Sequence, residues 1–160
     1  YSLPEKTPKE SAGVDITYIC FRDKEDNIIN TPKSGSYTKF CIGCKAHKEI
    51  NNIISTITCK DISDVETGCV FRQVSYLDGV YFSLKIGDHE IQISMCPLGL
   101  RPSAYEFDVY LDLPPFPNRL DQVNGFKCKV ASPEVGKPMV EGDMFFQARD
   151  WQLNSLNSQN

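Results

Sequence analysis

The sequence predicts an all-β fold, a two-sheet β-sandwich with short helical turns and disulfides, and three observations lead there. Short segments alternating apolar and polar side chains recur along the chain, as half-buried strands do. Clusters of Gly, Pro, Asn and Asp punctuate them at the spacing of sheet proteins. Helix is scarce: only residues 45–52 and the last ten suit one. With 160 residues, 41% of them hydrophobic, the chain has the size of one domain, which buries about 70% of its unfolded surface without needing a metal to fold. Eight or so strands are enough for two sheets, which favours a sandwich over a barrel.

The elements follow in order. Residues 1–13 mix Pro, Lys, Glu and Ser and read as a linker from an upstream domain, so the sandwich spans 14–150 and a tail 151–160. Residues 14–20 alternate early, with Thr and Ile suited to a pleated surface. Residues 53–59 place Ile53, Ser55, Ile57 and Cys59 on one face. Residues 70–77 and 80–86 flank Asp78-Gly79, a pair suited to a tight turn, and Gly87-Asp88 breaks the second run before residues 90–96. A three-strand meander over 70–96 is therefore expected. A turn-rich crossing at 97–102 leads to the strand 105–112, which Pro114, Pro115 and Pro117 end because proline cannot donate to a ladder. Residues 126–130 and 144–148 are two further short strands.

Charge and motifs exclude several functions. A net charge of −4 leaves a poor nucleic-acid binder, because affinity there rests on neutralising phosphates. No apolar run approaches the ~18 residues of a membrane span. Neither a G-x-G-x-x-G nor a Walker pattern occurs, so no nucleotide cofactor is expected. Two histidines and no G-x-S-x-G elbow give no support for an enzyme; His89 reads as a solvated turn residue beside Asp88 and Glu90. The seven cysteines are spread along the chain. Cys41 and Cys44 form one C-x-x-C, but a zinc ribbon wants a second pair, and His47 follows too closely to complete a site. No metal is expected. Disulfides in a secreted, extracellular protein account for the thiols, with one left over.

Two surfaces stand out as binding candidates. Alternation sets Tyr105, Phe107, Val109 and Leu111 on one face and Glu106, Asp108, Tyr110 and Asp112 on the other. The second set is either an ordinary solvated face with cross-strand cations or a negative stripe that steers a basic protein. Phe71, Gln73, Ser75 and Leu77 share a face of the preceding run, which is core or an exposed contact patch.

Several strings are similar to parts of the secreted poxviral chemokine-binding proteins. Phe82-Ser-Leu-Lys-Ile-Gly-Asp88 resembles a strand and turn of that family, as do Val74-Ser-Tyr76, Asn124-Gly-Phe-Lys127 and Val130-Ala-Ser132 in the same order. The length and the leader resemble the SECRET domain appended to the cysteine-rich repeats of poxviral tumour-necrosis-factor receptor homologues, the cytokine response modifiers. The resemblance implies a viral decoy receptor that evades host immunity by binding basic host chemokines through an electronegative sheet face. The partners implied are those chemokines and upstream TNF-binding repeats. It also implies contact positions near Glu49, Asn52, Phe71 and Gln73, beside the acidic strand Glu106, Asp108, Tyr110 and Asp112. Another cytokine or MHC-like ligand, or a purely structural module, is the alternative.

Overall fold

A computed structural model describes residues 1–4, 6–7, 10–63, 68–133 and 150–156. Ten strands run through them: β1 (Val14–Arg22), β2 (Ile28–Ile29), β3 (Thr38–Ala46), β4 (Ile50–Asp61), β5 (Cys69–Val74), β6 (Phe82–Leu84), β7 (Gly87–Met95), β8 (Ser103–Leu113), β9 (Asn118–Val130) and β10 (Asp150–Ser155). They form two antiparallel sheets, one ordered β10-β7-β3-β1-β2 and the other β5-β4-β8-β9, with β6 also paired to β4. The β-sandwich predicted from alternation is therefore the observed architecture.

Side-chain alternation in register builds the core. Ile57 pairs with Val109 and Cys59 with Phe107 on the inner face, while Thr56 pairs with Tyr110 and Lys60 with Glu106 on the outer face. A slip of one residue would invert both faces, so burial of the apolar set fixes the register. From the other sheet, Phe40, Ile42, Ile91 and Ile93 are equally inaccessible. Phe40 bridges the layers, with its ring 5.2 Å from Phe21 in its own sheet and 5.2 Å from Phe107 opposite. Tilted and edge-on rings at this spacing add to the stabilisation from burial alone.

Several expectations are corrected. Residues 70–86 do not form a hairpin: β5 and β6 lie end to end along one edge of β4, pairing with Thr56–Lys60 and with Ile50 and Ile53. Between them runs a 3₁₀ turn, Ser75–Asp78, closed by Gly79 at φ 75°. Asp78-Gly79 thus supplies the left-handed residue, but as a helical cap rather than a hairpin turn. The meander fails as well, because β7 joins the opposite sheet. Residues 45–52 are not helical; they are the end of β3, a crossing between sheets and the start of β4. Of the expected C-terminal helix, residues 151–155 are instead strand, in β10, paired with β7 from Asp150↔Ser94 to Ser155↔His89, and residues 157–160 lie outside the described residues. The expected strand at 144–148 lies outside the described residues. At the other end, Ser2 bridges Tyr18, so the start of the leader runs beside β1.

The expected disulfides are not shown: all seven cysteines carry free thiols. Cys44 and Cys59 are buried among core side chains, where a thiol packs as a small apolar group and burial pushes its pKa up. His89 is not a solvated turn residue either. It is 5% exposed within β7, where Nε2 donates to the Lys85 carbonyl at 2.7 Å.

Candidate functional site

The outer face of the β5-β4-β8-β9 sheet carries a concave site. Extended geometry aims every second residue outward: Thr56 and Thr58 from β4, Arg72 from β5, Tyr110 and Asp112 from β8. The proline-rich turn after β8 adds Phe116, and the start of β9 adds Arg119. Together these line a hollow of roughly 300 Å³, at the small end of the usual range for small-molecule sites. The Arg119 guanidinium lies over the Tyr110 ring at 4.3 Å from its centroid. Its Nε donates to Asp112 Oδ1 at 2.6 Å and its Nη1 to Gln122 Oε1 at 2.6 Å.

Two oxygens in this hollow lack partners among the described residues. Asp112 is fully buried, yet Oδ2 has no hydrogen bond, and neither has Oγ1 of Thr56, which is 1% exposed. Both atoms are sealed from solvent, and leaving such groups unsatisfied costs about 1–3 kcal/mol each, more for a charge. Arg72 is exposed at the rim with its donors unpaired among the described residues. A larger hollow, roughly 560 Å³, is bounded by Ser63, Ala104, Lys129 and Ser132 and offers neither an aromatic face nor a buried carboxylate.

The predicted site residues divide. Tyr110 and Asp112 fall in the hollow. Glu106 and Asp108 share their face, but cations from neighbouring strands oppose them. Lys60 donates to Asp108 Oδ2 at 2.9 Å, Gly125 N–H donates to Oδ1 at 2.9 Å, and Lys127 stands across from Glu106 in β9. Burial pushes the Asp108 carboxyl up, but the Lys60 and Gly125 hydrogen bonds outweigh it and hold the group below its ordinary value. The stripe is therefore charge-compensated. Gln73 is buried on the inner face and Phe71 packs its ring 6.2 Å from Phe107. Glu49 and Asn52 are exposed at the sheet crossing, Asn52 with φ 63°, away from the hollow. Thr56, Thr58, Arg72, Phe116 and Arg119 were missed. Alternation gives the outward faces of β4 and β5, but only the strand pairing shows that they meet β8.

The outer face of the other sheet holds a polar network. Glu90 of β7 accepts from Tyr18 Oη at 2.5 Å, Arg22 at 3.0 Å and Gln92 at 2.6 Å. Burial alone would raise its pKa; the Arg22, Gln92 and Tyr18 hydrogen bonds reverse that and keep the carboxyl below its ordinary value. The Tyr18 ring lies directly against Gly43 of β3, in space a Cβ would need. Beside this network Cys20 and Cys41 face each other across β1 and β3.

Comparison with known proteins gives a family. The model for the Wzt C-terminal domain matches residues 5–114. A solved structure, the crystal structure of the C-terminal domain of Wzt, covers 92% of this chain and 83% of its own at 12% identity, with a TM-score of 0.60. No curated protein sequence matches. These findings overturn the poxviral resemblance, and with it the viral chemokine decoy, its host chemokine and TNF-binding-repeat partners, the alternative host immune ligands and the secreted location. Of the strings that carried the resemblance, Phe82-Ser-Leu84 is a three-residue strand and Val74-Ser-Tyr76 a strand running into a 3₁₀ turn.

Proposed function

The chain belongs to the Wzt C-terminal domain family, and from that premise we propose that it is the glycan-binding module of a bacterial polysaccharide ABC transporter, acting in the cytoplasm beside the ATP-binding subunit. It binds rather than catalyses. The observation that carries this reading is the hollow over Tyr110, with Thr58, the exposed Arg72 and Phe116 around it.

A sugar ring presents hydroxyls that donate and accept around its rim and C–H groups on its faces. Thr58 accepts from or donates to one hydroxyl, and Arg72 donates to an oxygen at the rim. Phe116, 49% exposed, supplies a flat apolar wall for the C–H face. The Asp112–Arg119 pair and the stacking of Arg119 on Tyr110 hold the polar groups in place before the ligand arrives, which reduces the ordering cost of binding.

The test is calorimetric titration of the domain with polysaccharides cleaved from bacterial lipid carriers. Binding is expected, and Arg72→Ala, Tyr110→Ala and Asp112→Asn each weaken it roughly tenfold or more, the equivalent of about 1.4 kcal/mol. Absence of binding to any polysaccharide in a structurally diverse panel, or affinity unchanged in all three variants, rejects the proposal.

A further inference from the structure

We propose that Cys20, Cys41 and Glu90 form a binding site for a thiophilic divalent cation, zinc by charge, on the outer face of the five-stranded sheet. The sequence gives no hint of it, because the expected motif is the wrong one. Cys41 and Cys44 lie on opposite faces of β3, and Cys44 belongs to the core. The pairing Cys20↔Cys41 and the neighbouring Gly43↔Glu90 bring the actual donors together from three strands.

Three features support the site. First, one Sγ from each cysteine and a Glu90 oxygen all lie within 4.8 Å of one another. A zinc ion about 2.3 Å from sulfur and about 2.1 Å from oxygen sits inside that envelope. Second, the charges balance. Two thiolates and a carboxylate, less the positive charge of Arg22 at 3.0 Å from Glu90, leave a double negative charge for a divalent ion to cancel. In a site whose donors are 7%, 0% and 3% exposed, an uncancelled charge would be costly. Third, the donors are held. Tyr18, Arg22 and Gln92 orient the carboxylate, as partners behind metal ligands commonly do. On metal binding the cysteine pair gives up its thiol protons to solvent.

Cobalt(II), then zinc(II), titrated into the fully reduced protein under anaerobic conditions tests this. One equivalent of cobalt is expected to produce a near-ultraviolet thiolate-to-metal band that zinc abolishes. Cys20→Ser and Cys41→Ser remove the band, Glu90→Gln weakens binding about 10–100-fold, and the exposed-thiol variant Cys69→Ser/Cys96→Ser keeps it. If the serine variants do not fold, iodoacetamide labelling of the wild type in urea near its unfolding midpoint, where buried thiols open transiently, decides. Slower labelling of Cys20 and Cys41 with zinc than without it supports the site; equal labelling with and without zinc overturns it. Absence of the band, its persistence in either single-serine variant, or a mass spectrum of the protein purified without reductant that places Cys20 and Cys41 in a disulfide also overturns it.

Discussion

Gly43→Ala offers a test of how the outer face of the five-stranded sheet is built. The new methyl group falls where the Tyr18 ring lies, and the ring must turn aside because the β3 backbone is held on both sides by β1 and β7. Turning aside takes Tyr18 Oη away from Glu90. A lost hydrogen bond to a charged group costs about 1.5–3 kcal/mol, and an off-rotamer ring adds about 0.5–1.5 kcal/mol. Replacing glycine by alanine returns about 0.4–1 kcal/mol by restricting the unfolded chain. The net loss is therefore about 1–4 kcal/mol, or roughly 2–16 °C in Tm for a domain of this size. Circular dichroism melts and urea unfolding of a double-mutant cycle with Tyr18→Ala measure it. With the ring gone, Gly43→Ala should cost nothing or stabilise slightly. An equal loss in both backgrounds would refute the idea that the ring is the obstacle.

Three further predictions concern the same framework. Ser75→Ala removes the hydroxyl that accepts from Ser55 N–H at 3.0 Å and leaves a buried donor unpaired, a loss of about 1–3 kcal/mol in urea unfolding. In the reduced native protein a thiol reagent should modify Cys69 and Cys96, which are exposed, and react more slowly with Cys128, whose pKa burial pushes up to about 12; the four buried thiols should respond only on unfolding. Glu90 and Asp108 have folded pKa values held below their ordinary ones. Their stabilisation is complete above the unfolded carboxyl pKa and is lost as pH falls through the folded values. Melts between about pH 2 and pH 6 should show a shallower acid limb in Glu90→Gln than in the wild type.

Strand existence and facing were legible in the sequence wherever one face is core. Tyr105, Phe107, Val109 and Leu111 alternate cleanly because they line one inner surface, and Ile53 and Ile57 do the same in β4. Pairing was not legible. Asp78-Gly79 satisfies both a hairpin and a 3₁₀ cap, since each needs a residue at positive φ, and only the partners of β5 and β6 tell them apart. Lys45, Lys48 and Glu49 are good helix formers by propensity, yet the flanking strands override them through tertiary pairing. The site shows the same division. Alternation put Glu106, Asp108, Tyr110 and Asp112 on one face, but Lys60 and Arg119, which turn that face from a negative stripe into a compensated one with a hollow, arrive from strands that only the fold brings alongside.

The end-to-end arrangement of β5 and β6 has an architectural consequence. One long strand is flanked along a single edge by two short ones, with the Ser75 hydroxyl bridging the gap between their ladders. The bulge carrying Tyr76 and Leu77, 42% and 67% exposed, is therefore a splice in the sheet margin. Extra residues grafted there extend outward without shifting either register, as surface loops with short closed ends generally allow. Such an insertion lengthens one rim beyond Val74, past the end of the hollow that runs from Arg72 of β5 across β4 to Tyr110 of β8.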